Sequence, residues 1–248
     1  MSPNSSLLTP DEREDLSLTV LASHLPDEQY EDLAQQQETS VLGMWVFLAT
    51  EALFFGSLFL GLYVYRHAYA LEFEKASEHL NLAIGGTNTV VLLVSSLMMV
   101  LAVHSAGVGR NGQVQLFLVL TALLGLAFLG FKALEYYLDY KENLIPGWRF
   151  DDAEWMARDG LRLDQVQHVK LFLAFYWIMT GLHAVHMIIG IIAVLAMLVM
   201  ARRGNFTPAY YAPLDVTGLY WHFVDTIWIF LLPSLYLLGT HSLRDLHF

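Results

Sequence analysis

The chain has 248 residues, of which 56% are hydrophobic and only 15% charged. Soluble domains carry roughly 25% charged residues, so this is the composition of an integral membrane protein. Net charge is -11 and cysteine is absent, which excludes disulfides, c-type haem attachment, iron–sulfur clusters and thiolate-bound copper in this chain.

The charge is concentrated at the start. Nine acids from Asp11 to Glu38 stand against Arg13 alone, so residues 1–38 read as an acidic extramembrane segment. Such a segment repels phosphate backbones, and nucleic acid is excluded as a partner. Thr9-Pro10-Asp11-Glu12 has the cap, proline and acid of a helix start. The segment lacks the basic and apolar regions of a cleavable signal peptide.

Residues 39–248 read as one membrane domain. Five apolar runs are long enough to span a bilayer, at 41–65, 82–104, 114–137, 171–200 and 216–238. The expected fold is therefore all-α, an integral membrane bundle of five transmembrane helices. The connections are short, except for a polar loop at 139–170 that contains Pro146-Gly147-Trp148.

Each span carries polar groups. Glu51 lies in the middle of the first, roughly 15 Å from its near end at 1.5 Å per residue. A lone carboxylate there has to be protonated or paired. The second span holds Asn88, Ser95 and Ser96, whose small polar side chains suit close helix packing, and it ends at the boundary residue His104. Near the end of the third, Lys132 and Glu135 are i, i+3 neighbours and read as an ion pair leaning toward the interface.

The fourth span carries Gly181, His183 and His186. Two histidines three apart on one helix cannot bracket a haem from opposite faces, so they read as structural. In the fifth, Trp221, Asp225 and Trp228 share one helical stripe. His222 precedes Asp225 by three residues, a spacing at which imidazole and carboxylate can meet. No set of these residues converges as metal ligands.

Taken in order, the motifs resemble subunit III of the haem–copper oxidases, the cytochrome c oxidase subunit III family. They are Glu51 with Phe54-Phe55-Gly56, Asn88-Thr89 with Ser95-Ser96, and Glu135-Tyr136. Gly181 with His183, His186 and Gly190 follows, then Tyr220-Trp221-His222-Phe223-Val224-Asp225 with Trp228. The last is the most specific, and the resemblance runs over residues 41–238.

The resemblance implies a non-catalytic subunit without a redox cofactor of its own, in a proton-pumping terminal oxidase of aerobic electron transport. Haem and copper would lie in partner subunits I and II, and this subunit would support proton uptake and the stability of the catalytic subunit. It implies bound phospholipid, a bacterial cytoplasmic membrane location, an N-terminus in the cytoplasm and membership of a larger respiratory assembly. Two departures stand out. Two helices that open many relatives have no counterpart, as in five-helix bacterial forms, and Lys132 stands where many relatives have Gln. The alternatives are the equivalent subunit of a quinol oxidase or nitric oxide reductase system, a proton-coupled carrier using Glu51 and Asp225, and a haem-binding cytochrome using His183, His186 and His222.

Overall fold

Seven helices organise the described part of the chain. A computed structural model describes residues 33–147, 150–207 and 210–237. The acidic segment before residue 33, Trp148, and the end of the fifth expected span lie outside it. The helices are α1 (Leu33–Ala68), α2 (Ala70–Glu78), α3 (Leu82–Gly107), α4 (Asn111–Lys141), α5 (Asp152–Asp159), α6 (Leu163–Arg202) and α7 (Ala212–Tyr236). The only extended pairing among the described residues is an isolated bridge between Thr207 and Tyr210.

Local chemistry sets several boundaries. Asn81 caps α3 by accepting from the Ile84 amide at 3.1 Å, and Asp151 caps α5 by accepting from Ala153 and Glu154. These side chains satisfy amides that the first helical turn leaves free. α5 stops at Gly160, whose φ of 66° lies in the left-handed region. The tight α3–α4 connection turns at Gly109, with φ 75°.

Among the described residues, four helices are long and apolar enough to cross a membrane, within Glu38–Ala68, Leu82–Gly107, Asn111–Lys141 and Leu163–Arg202. The fifth expected span forms α7, of 25 residues. Asp215, His222 and Asp225 interrupt its apolar sequence, and Pro233 sits near its end.

The loop expected at 139–170 is largely helical. α4 runs on to Lys141, α5 occupies the middle, and α6 begins at Leu163. In the first turns of α6, Val166, Val169, Phe172 and Leu173 form a fully buried stripe. Phe172 meets Phe73 of α2 edge-on at 5.3 Å. These apolar positions are spaced for a helix face, so burial under α2 and α5 overrides the polar composition. α2 and α5 thus cap one end of the bundle, and α1 begins at the other, the tail end.

α3, α4, α6 and α7 pack in a closed ring, each against the next, while α1 leans on α7 and α6 from outside. Trp221, on α7, is wedged between two glycines. A Cβ on Gly125 would meet the Trp221 ring at 2.8 Å, and one on Gly190 would meet it at 3.1 Å. The ring is 1% exposed and has nowhere to retreat. We expect Gly125→Ala to cost about 1–3 kcal/mol through overpacking, while Gly86→Ala, which faces open space, costs far less. Thermal midpoints of the two solubilised variants check this. Equal midpoints would contradict the wedge.

Candidate functional site

The polar residues of the bundle fall into three groups at different depths. The largest lies toward the cap end and is centred on Lys132, whose side chain is only 2% exposed. Its ammonium donates to Glu135 Oε2 at 3.0 Å, Tyr176 OH at 3.1 Å and Tyr236 OH at 2.8 Å. All three of its hydrogens are thereby used. Tyr236 OH in turn donates to Glu135 Oε1 at 2.6 Å, and Tyr176 OH to Asp139 Oδ2 at 2.7 Å. Three helices, α4, α6 and α7, meet in one network of an ammonium, two carboxyls and two phenols.

The ion pair expected from the Lys132–Glu135 spacing is present, but the lean toward the interface is not. α4 continues for nine residues past Lys132, about 14 Å at the rise of a helix. The ammonium instead turns inward, within 4.6–5.5 Å of the Tyr136, Tyr176, Trp228 and Tyr236 ring centres. Such faces attract a desolvated cation. Sequence reasoning missed Asp139, Tyr176 and Tyr236. Asp139 follows Lys132 and Glu135 at i+7 and i+4, a legible helical stripe, once α4 is known to extend that far.

The second group joins α1 to α6. Glu51 Oε2 lies 3.1 Å from His186 Nε2, so the mid-span acid is paired. His186 Nδ1 lies 2.9 Å from Leu182 O. A carbonyl only accepts, so Nδ1 carries hydrogen. Nε2 and the carboxyl therefore share one proton, either as acid and imidazole or as carboxylate and imidazolium. Phe55 covers the ring edge-on at 5.3 Å, and Tyr220 OH donates to the His186 carbonyl at 3.0 Å.

The third group is on α3 and α7. His222 Nδ1 meets Ser96 Oγ at 2.7 Å, and Asp225 is 3% exposed, with neither carboxyl oxygen hydrogen-bonded among the described residues. The His222–Asp225 pairing that the spacing allows is not formed. His222 turns to Ser96 because α3 packs against this stretch of α7. Trp221, Asp225 and Trp228 are all buried on one stripe.

The remaining sequence candidates take separate places. His183 is 1% exposed, enclosed by Phe128 and Trp228 at 5.5 and 5.1 Å. Its ring nitrogens have no hydrogen-bond partner among the described residues, nor has the Asn88 amide. Ser95 donates across to Thr121 O of α4 at 3.3 Å. Trp228 Nε1 donates to Thr89 Oγ1 at 3.1 Å. Gly181 sits in open packing, with Tyr136 OH 4.0 Å from where a Cβ would be. The three histidines do not approach one another as a ligand set.

A histidine outside the spans joins two of the short elements. His79, between α2 and α3, faces Asp159 of α5 at 3.5 Å and packs on Trp155 at 4.4 Å. Burial lowers its pKa below the usual 6.5, and Arg158 adds to this, against the opposing pull of Asp159 and Glu142. The folded state therefore binds the proton less readily than the unfolded chain. Its contribution is complete above pH 6.5 and is lost as pH falls below that value. We expect amide exchange in 151–162 to quicken as pH is lowered from neutrality to below 6, after correction for intrinsic rates. His79→Gln should remove that dependence, and an unchanged pH profile in the variant would refute the assignment.

Comparison with known proteins places these groups in context. The sequence model described as cytochrome c oxidase subunit III matches residues 168–240, the stretch that supplies Tyr176, His183, His186, His222, Asp225 and Tyr236. The chain is 28% identical over 214 residues to the quinol oxidase subunit 3 of Bacillus subtilis, covering 84% of this chain and 93% of that protein. It is 26% identical over 198 residues to the cytochrome c oxidase subunit 3 of Alkalihalophilus pseudofirmus, covering 80% and 86%.

Proposed function

The chain belongs to the subunit III family of the haem–copper oxidases, and on that footing we propose that it is a cofactor-free accessory subunit of a proton-pumping terminal oxidase. It binds the catalytic subunit I and subunit II, which hold the haem and copper, and it supports proton uptake and the durability of the catalytic subunit. α7 is its fifth membrane span. The tail end lies in the cytoplasm, where Arg110, Arg202 and Arg203 follow the positive-inside pattern.

The observation that carries this reading is the separate engagement of the three span histidines. His186 is held by Glu51, His222 by Ser96, and His183 is enclosed by aromatic rings. A haem-binding cytochrome would need two of them to converge. A carrier would need broken helices at mid-membrane, whereas α1, α3, α4 and α6 run unbroken through their spans.

For the electron donor, cytochrome c is the first reading and a quinol the second. The second is favoured by relatives named quinol oxidase subunit 3 in Bacillus and Staphylococcus. The test is a mild-detergent purification through a tag on the N-terminal segment, with a reduced-minus-oxidised spectrum. Co-purifying haem proteins that separate from the stripped chain are the expected result, and their identity assigns the donor. Haem retained by the stripped chain, or substrate flux from the colourless chain alone, would overturn the proposal.

A further inference from the structure

A line of tyrosines and tryptophans runs from the middle of the bundle to its cap end. Trp228 is 6.5 Å from Tyr236, Tyr236 is 6.1 Å from Tyr176, and Tyr176 is 5.9 Å from Trp177, all between ring centres. Trp177 stacks on Tyr136 at 4.4 Å. Trp228, Tyr236 and Tyr176 are fully buried, whereas Tyr136 and Trp177 are half-buried beside the loop that follows α4. Trp177 Nε1 donates to Leu144 O of that loop.

Packing alone explains rings in contact. It does not explain why each buried phenol in the line donates to its own carboxyl oxygen, Tyr236 to Glu135 at 2.6 Å and Tyr176 to Asp139 at 2.7 Å. These are short bonds of the charge-assisted kind. Tyrosine loses an electron readily only when its phenol proton has somewhere to go, because the radical cation is a strong acid. A carboxylate already bonded to the hydroxyl is such a destination. Lys132 donates to both phenol oxygens and continues to hydrogen-bond the oxygen after the proton has left.

We infer that this line is a one-electron relay, in which Tyr236 and Tyr176 are oxidised with transfer of their phenol protons to Glu135 and Asp139. In each step the phenol O–H bond breaks, a carboxyl O–H bond forms and one electron passes to the oxidant, leaving a neutral tyrosyl radical. Return of one electron from a one-electron donor at the cap end, by way of Tyr136 and Trp177, restores the phenol and the carboxylate. The oxidant is an escaped high-potential intermediate of oxygen reduction in the catalytic partner. That supply rests on the oxidase reading, but the relay itself is a property of this chain. Its consequence is protective, since oxidising equivalents leave through residues that can be reduced again.

The test uses the purified assembly with a ruthenium polypyridyl photo-oxidant and a sacrificial electron acceptor, read by electron paramagnetic resonance after a flash. A neutral tyrosyl signal is expected, narrowed by ring-deuterated tyrosine. It should fall by an order of magnitude in Tyr176→Phe/Tyr236→Phe and persist in Tyr137→Phe, which lies outside the line. Glu135→Gln keeps the ring positions but removes a proton acceptor, and should slow radical formation. An undiminished signal in the double variant, or no tyrosyl signal from the unaltered protein, would overturn the relay. Haem absorbance of the same preparation reads the oxidase assignment separately: a tyrosyl signal without haem would leave the relay standing and remove its proposed oxidant.

Discussion

Lys132→Leu is expected to destabilise the folded bundle by about 3–5 kcal/mol, the range for removing one member of a buried ion pair. The substitution is apolar and of moderate size, so lost volume is not the main effect. The cost comes from what remains: Glu135 loses the donor at Oε2, Asp139 loses the nearby cation, and both stay in a dry interior. Two phenols also lose an incoming hydrogen bond. Lys132→Leu/Glu135→Leu removes a charge along with the cation and should be less damaging than the single change, although it alters more atoms. The comparison is made on thermal midpoints of the assembled protein. A double variant less stable than Lys132→Leu would mean that packing volume, not uncompensated charge, governs this site.

That cluster also shows where sequence reading stops. The spans were legible because runs of about twenty apolar residues have few alternatives. Lys132 and Glu135 were legible as an i, i+3 pair. Their depth was not, because it depends on where α4 ends, and the polar residues after Tyr137 disguise a further turn of helix. The same polar residues put Asp139 in a loop on sequence alone. α2 and α5 were missed because nine and eight residues are too few to form helices without the tertiary burial of Phe73 and Trp155. At Glu51 the need for a partner could be argued from one residue alone. The partner's identity could not, since 135 positions separate it from His186 and no local spacing reports such a contact. The reverse holds for His222 and Asp225, whose local spacing offers a pairing, whereas His222 bonds Ser96 of another helix instead.

His186→Leu should be the next most harmful change, because it leaves Glu51 without its partner near mid-span. An acid kept ionised at the centre of a membrane helix costs about 2.5–3.5 kcal/mol on insertion scales. Glu51→Gln differs in kind. With Nδ1 committed to Leu182 O, Nε2 of the neutral ring is an acceptor, and the Gln amide can donate to it. That single variant should therefore stay close to the unaltered protein in stability. Combining the two, Glu51→Gln/His186→Leu, removes the charge but leaves an amide without its acceptor, a loss of about 1–3 kcal/mol. The expected order of stability is Glu51→Gln, then the double variant, then His186→Leu. The fraction of chain retained in the assembly after a graded detergent challenge measures it. If the double variant falls below His186→Leu, the acid does not depend on His186, and α1 is held against α6 by its apolar contacts instead.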